Sequence, residues 1–262
     1  MINFMNEYDG DGTVFSYFLP TCPFWNSDPK TKKVNKNFQF RKNTLSYQQW
    51  RKMDKQILIT GGAQRIGKEL VNHFHSAGWN VLFQYRSSSD SANELCDQLN
   101  KKREQSCQTF QCDFDDENSF KEFCNDINKN TGNLCALINN ASTFYPKKIT
   151  DIDSNDWDKL MSSNLKTPIF LISALAEKLI KNNGHIVNIT DIYAEQGMSG
   201  YSMYAAAKAG LYNLTKSLAR ELAPNVLVNS ISPGSILSVS YTHLRAHETP
   251  EHLVWRLMRE KK

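Results

Sequence analysis

Nowhere in the 262 residues is there a run of about 18 apolar side chains, so no segment reads as a membrane-spanning helix. The N-terminus, MINFMNEYDGDG, lacks a basic stretch followed by an apolar core, which argues against a secretory leader. No CxxC pair occurs among Cys22, Cys96, Cys107, Cys112, Cys124 and Cys135, and their spacing makes neither a disulfide nor a zinc framework. They are expected to be reduced thiols that pack as small apolar groups. Charge of one sign is scarce as well. A net charge of +4 and a pI near 8.6, with Lys and Arg spread along the chain, give no footprint for a polyanion. With 40% hydrophobic residues and a mean hydropathy of -0.53, the composition suits a soluble, cytoplasmic protein built as one large domain with extensions. No nucleic-acid partner, membrane partner or metal is expected.

Residues 1–52 are rich in Asn, Lys, Asp and aromatics, with Pro20, Pro23 and Pro29 breaking any periodicity, and read as an irregular N-terminal extension. Met53 is a candidate for the native start. From Lys55 the character changes. QILIT is a short apolar run that ends in TGGAQRIG and flows into an amphipathic pattern at Ile66, Leu70, Val71, Phe74 and Ala77, which is strand, glycine-rich turn, helix. Gly61, Gly62 and Gly67 let the backbone turn tightly against a pyrophosphate seated on the N-H groups of the helix.

The next run, NVLFQYR, predicts a second strand that ends at Arg86, nineteen residues after Gly67. A NAD site carries an acid near this point to accept from the adenosine ribose, whereas here stand Tyr85, Arg86 and Ser87. A guanidinium without a carboxylate favours the 2'-phosphate of NADPH. The alternation continues through a helix at 90–102, a strand in CQTFQCD, a helix at 117–128 and a strand in LCALIN, a doubly wound α/β pattern with a mostly parallel sheet. Asp113, just past the third strand, is placed to accept from an adenine amino group, and Asn139, Asn140 and Ala141 to turn tightly against the cofactor. Helical spacing over 155–180 is interrupted near Pro168, just after Asn164. HIVNIT then delivers the chain to Asp191. Tyr204 and Lys208, four residues apart, share a helix face, and the ammonium is expected to favour the phenolate and lower the Tyr204 pKa. That spacing alone equally suits a solvated face. A sixth strand, VLVNSIS, closes at Pro233 and Gly234.

Taken together, residues from about 55 to 237 resemble the short-chain dehydrogenase/reductase family, and within it the pteridine reductases. TGGAQRIG, with Arg65 where general members carry a third glycine, NNASTFYP, and Asp191 in place of a catalytic serine thirteen residues before Tyr204 carry the resemblance. It implies a Rossmann-like domain over 53–237 and NADPH-dependent reduction of dihydropterin or dihydrofolate to the tetrahydro form. It further implies that Tyr204 is the proton donor, that Lys208 holds the nicotinamide ribose, that Asp191 joins the proton relay and that Asn164 helps to hold a water in it. Phe144 would stack the pterin, and Arg65 would reach cofactor phosphates and pterin edge. Cofactor contacts are implied at Gly61, Gln64, Arg65, Ile66, Gly67, Tyr85, Arg86, Ser87, Asp113, Asn140, Ala141, Ser142, Tyr204, Lys208, Pro233, Gly234 and Ser235.

Residues 238–262 depart from the family and resemble translated sequencing-adapter DNA, so the natural protein is expected to continue differently after about residue 237 and the sheet here to lack its last strand. A homotetramer is implied only with that native end. His243, His247 and His252 in this tail read as a solvated face and not as metal ligands. Two other readings stay open: a reductase of another carbonyl, such as a 3-oxoacyl thioester, and a catalytically idle NADP-binding protein.

Overall fold

The computed structural model describes residues 54–234, together with two short strand segments near the N-terminus. Those segments, β1 (Asn6–Tyr8) and β2 (Val14–Ser16), pair antiparallel with Asn6 opposite Ser16. The extension is therefore not wholly irregular. Strands of three residues are too short to show a period-two pattern, while the two Asp-Gly pairs between them are turn signals. Met53, the tail at 238–262 and Ser235 lie outside the described residues.

Among the described residues six strands form the central sheet: β3 (Gln56–Ile59), β4 (Asn80–Tyr85), β5 (Cys107–Gln111), β6 (Leu134–Asn139), β7 (His185–Ile189) and β8 (Leu227–Ile231). They run parallel in the order β5-β4-β3-β6-β7-β8, and among the described residues β8 has one strand neighbour, β7. A parallel sheet needs crossover helices on its faces, so its inner strands are buried on both sides and read as continuous apolar runs. QILI and LCALIN are such runs. Successive β3 side chains serve opposite faces. Leu58 joins Leu82, Leu137 and Ile186 beneath Leu171, Leu175 and Leu179, while Ile57 and Ile59 join Val81 and Phe83 beneath Val71, Leu95 and Leu99.

The helices of the second face are α1 (Arg65–Ser76) and α2 (Ser89–Lys102); those of the first include α3 (Glu117–Asn130) and α5 (Thr167–Lys181). Between β6 and α5 stands α4 (Ser154–Met161), and α6 (Tyr193–Gln196) and α7 (Ser202–Glu221) follow β7. The long helical pattern predicted over 155–180 is interrupted, but not by Pro168. The irregularity is a π-helical turn at Ser162–Lys166, and Pro168 sits in the first turn of α5, where a missing N-H costs little. Sheet order reverses between β4 and β6 on either side of β3, so the crevice for a ligand opens above the carboxyl ends of β3 and β6. No described helix is long and apolar enough to cross a membrane, and no described cluster of His, Cys, Asp and Glu could hold a metal ion. Cys107, Cys112, Cys124 and Cys135 are buried free thiols and Cys96 is half-buried, as small apolar packing requires.

Candidate active site

Two loops interlock at that crevice. The Thr60 hydroxyl oxygen accepts from the backbone N-H of Asn140 and of Ala141, both at 3.0 Å, and Asn140 Nδ2 donates to the carbonyls of Thr60 at 2.9 Å and Gly61 at 3.2 Å. The fit leaves no room for side chains. A Cβ on Gly67 would lie 1.9 Å from the Gly61 carbonyl oxygen, and Gly61 itself, at φ +66°, faces the Ala141 backbone. Helix α1 begins here with no side-chain cap and no acid in its first turn. Its first N-H groups are thus left to an anion, which the helix dipole favours.

A cleft of about 370 Å³ runs from this turn along the strand ends, lined by Gly61, Gln64, Arg65, Ile66, Gly67, Tyr85, Arg86, Ser87, Asp113, Asn140, Ala141 and Ser142. These were singled out in the sequence; Gln84, Asp115, Thr143 and Ser163, which line the cleft as well, were not. Arg86 and Ser87 are exposed at one end, where donors for a phosphate would have to be. The Asp113 carboxylate accepts from the Asp115 backbone N-H at 3.1 Å and stands at the same end. Shape and donor set therefore fit a dinucleotide: an uncapped helix for the pyrophosphate, Arg86 with its serines for a 2'-phosphate, and Asp113 for the adenine.

Arg65 has φ +50°, a left-handed conformation that costs an L side chain roughly 1 kcal/mol and glycine almost nothing. This accounts for a glycine at that place in general family members. Keeping a long cation there, on the lining of the cleft, points to work done by its side chain.

Gln84 was not anticipated. Fully buried in β4, its Oε1 accepts from the Gly61 N-H at 3.0 Å and its Nε2 donates to the Cys112 carbonyl at 2.7 Å, tying the glycine turn to the end of β5. The signal was present, an amide set inside the apolar run VLFQY. Gln84→Met would leave the Gly61 N-H and the Cys112 carbonyl without these partners, and thermal or denaturant unfolding should show a loss of about 2 kcal/mol.

Beyond the cleft, the remaining candidate residues assemble from the loop after β7, from α7 and from the loop after β6. The Tyr204 hydroxyl donates to Asp191 Oδ2 at 2.7 Å, and Asp191 Oδ1 accepts from the Tyr193 N-H at 2.9 Å. Lys208, nearly fully buried, donates to the Ile189 carbonyl at 2.9 Å, with Nζ 5.7 Å from the Tyr204 ring centre. Phe144 meets Tyr204 edge-on at 4.8 Å, stacks on Tyr201 at 4.5 Å with 11° between the planes, and is 52% exposed. The Pro233 carbonyl accepts from the Ile192 N-H at 3.3 Å, which sets Pro233 and Gly234 beside Asp191.

Two expectations are corrected. The Tyr204 pKa is pushed up, not down. Burial is the largest cause, followed by the hydrogen bond to Asp191 and its charge, and the Ser142 hydroxyl offsets them only in part. Helical spacing reveals that Lys208 is near, but not that the phenol is buried against a nearer carboxylate. Lys208 itself is lowered from 10.5 to about 8 by burial, with the Asp191 charge acting in the other direction. Asn164, second, is completely buried. Its Oδ1 accepts from the Ser142 hydroxyl at 2.7 Å, and its Nδ2 donates to the carbonyls of Thr143 at 2.8 Å and Leu160 at 2.9 Å. The side chain is a brace between the π turn and the Ser142 loop, with no exposed atom for a water.

The family model described as short chain dehydrogenase matches residues 55–249. Among curated proteins, dihydromonapterin reductases are similar: those of Enterobacter sp. (strain 638) and Shigella boydii serotype 4 (strain Sb227) are each 36% identical over 185 residues, covering 69% of this chain and 74% of theirs. That of Escherichia coli (strain SMS-3-5 / SECEC) is 36% identical over 189 residues with the same coverage.

Proposed function

The chain belongs to the short-chain dehydrogenase family and is an oxidoreductase, and from that premise we propose that it reduces the imine of a dihydropterin to the tetrahydropterin with NADPH, dihydrofolate being a further substrate of the same chemistry. The observation that carries the reading is the Tyr204–Asp191 hydrogen bond of 2.7 Å set edge-on to a half-exposed Phe144. A flat heterocycle needs an aromatic face to lie on and polar groups at its rim. Phe144 offers one ring face, its other being stacked on Tyr201, and Arg65, Asp191 and Tyr204 are the polar groups.

When bound in the cleft, the cofactor would supply the hydride for the imine carbon. The nitrogen of that imine takes a proton, and Tyr204 is the donor: its raised pKa keeps the phenol protonated until the developing amine accepts. Asp191, half-buried, orients the O-H and returns a proton from solvent. Lys208, held by the Ile189 carbonyl beside Tyr204, would hold the ribose hydroxyls, and the turn of Gly61 and Gly67 would hold the pyrophosphate. Support for the pterin as substrate comes also from the dihydromonapterin reductases that the chain resembles.

The test is NADPH consumption with dihydrobiopterin, beside NADH and beside a 3-oxoacyl thioester as rival substrate. The expected outcome is turnover of the dihydropterin, blocked by a diaminopteridine inhibitor, with the thioester inert; thioester turnover in place of pterin turnover would overturn the reading. In the same assay Arg86→Leu should weaken NADPH binding about tenfold and leave NADH binding unchanged, since it removes charge-assisted bonds to one phosphate only. An equal loss for both cofactors would take the 2'-phosphate away from Arg86.

A further inference from the structure

We infer that Asp156 is the positioning residue for the loop that carries Phe144, and that it governs substrate affinity and not the chemical step; the inference rests on the dihydropterin reading above. The loop from Asn140 to Lys148 crosses the mouth of the site without regular structure. Something must fix its path if Phe144 is to present a ring at a constant angle.

Asp156 lies in the first turn of α4 and is 6% exposed. Its Oδ1 accepts from the Tyr145 hydroxyl at 3.1 Å and its Oδ2 pairs with Lys147 Nζ at 2.8 Å. Two side chains flanking Pro146 therefore converge on one carboxylate. The carboxylate is itself anchored, for Asp156 and Asp153 form a capping box in which Oδ2 accepts from the Asp153 N-H at 3.3 Å and the Asp153 side chain accepts from the Asp156 N-H at 2.8 Å. From the opposite side the Lys147 N-H donates to the Gly200 carbonyl at 2.7 Å, and Tyr201 next to it backs the Phe144 ring.

A capping box requires only an acceptor at Asp156. A nearly buried carboxylate is costly unless paired, and the pairing here is supplied entirely by the substrate-side loop. Lys147, the largest influence, holds the Asp156 carboxyl below the usual carboxylate range, so the brace is charged at working pH. Phe144 directly precedes the braced residues. Release of the brace frees the ring to tilt while Tyr204, Asp191 and the glycine turn, held by other elements, stay where they are.

The test uses the Tyr145→Phe/Lys147→Met double variant, which leaves the helix cap intact, and Asp156→Asn beside it. KM for dihydrobiopterin should rise about tenfold in both, the scale of a misplaced binding surface, with kcat and the NADPH dissociation constant unchanged. Trypsin cleavage after Lys148, exposed in the same loop, should quicken in both and reports loop release without any need for turnover. An unchanged KM, or a parallel decline of kcat and NADPH binding, overturns the proposal. Should the parent protein fail to turn over dihydrobiopterin, the substrate reading falls; faster cleavage at Lys148 would then still uphold Asp156 as the holder of this loop, and unchanged cleavage would reject it.

Discussion

Tyr204→Phe is expected to lower kcat by about a thousandfold while NADPH binds as before, the loss typical of a general acid removed from its place. The substitution deletes one oxygen and keeps the ring, so the edge contact with Phe144 and the burial of the side chain survive. What disappears is the proton aimed at Asp191 Oδ2. Steady-state NADPH consumption and a cofactor titration by fluorescence measure the two quantities separately. A fall in kcat of less than about tenfold would move proton donation elsewhere, with Asp191 the next group to suspect. Asp191→Asn gives the complementary result. Burial and the Asp191 carboxylate together raise the phenol, so Tyr204 keeps its proton through the range near pH 8 in which Lys208 loses its own, and the alkaline limb of kcat should report Lys208. Neutralising residue 191 removes the charge that raises Lys208 and leaves the burial that lowers it, and the alkaline limb of kcat should move to lower pH.

Much of the scaffold was legible because a parallel sheet buried on both faces demands apolar runs. QILI, NVLFQY and LCALIN announce themselves between glycine turns and amphipathic helices. The cleft was legible for the same reason, since its lining comes from residues at strand ends, whose chain positions follow once the strands are placed. Less visible was anything decided by contact between distant segments. Gln84 bonds to residues 23 and 28 positions away, and nothing in its own neighbourhood tells which partners it meets. Asn164 looked like part of a water site, yet its amide is spent on Ser142, Thr143 and Leu160 once the π turn swings it inward. The direction of the Tyr204 shift failed on the same ground: spacing along a helix gives neighbours on that helix, whereas burial and the reach of Asp191 belong to the tertiary structure.

Lys208→Met is expected to abolish turnover, by a factor on the order of a thousand, and at the same time to make the protein more stable near neutral pH. The conflict follows from where the ammonium lies. Burial lowers its pKa from 10.5 to about 8. Below about 8 the folded and unfolded chains both hold the proton, and the fold carries the whole cost of the buried charge, on the order of 3 kcal/mol. Between about 8 and 10.5 the unfolded chain binds a proton that the folded chain has released, so the unfolding free energy climbs with pH across that window and levels off above it. Methionine has no such charge to bury. It forfeits the hydrogen bond to the Ile189 carbonyl, worth about 1 kcal/mol, which leaves a net gain of about 2 kcal/mol at neutral pH. Thermal unfolding at pH 7 should rise by about 5 °C, and the difference from the parent should shrink as the pH climbs through that window and reverse in sign by about 10.5, where only the loss of the Ile189 bond remains. A variant less stable than the parent at neutral pH would show that the Ile189 bond outweighs the buried charge. A variant with normal turnover would remove Lys208 from the site altogether. The combined result, lost activity with gained stability below pH 8, is the mark of a residue kept for chemistry at the expense of the fold.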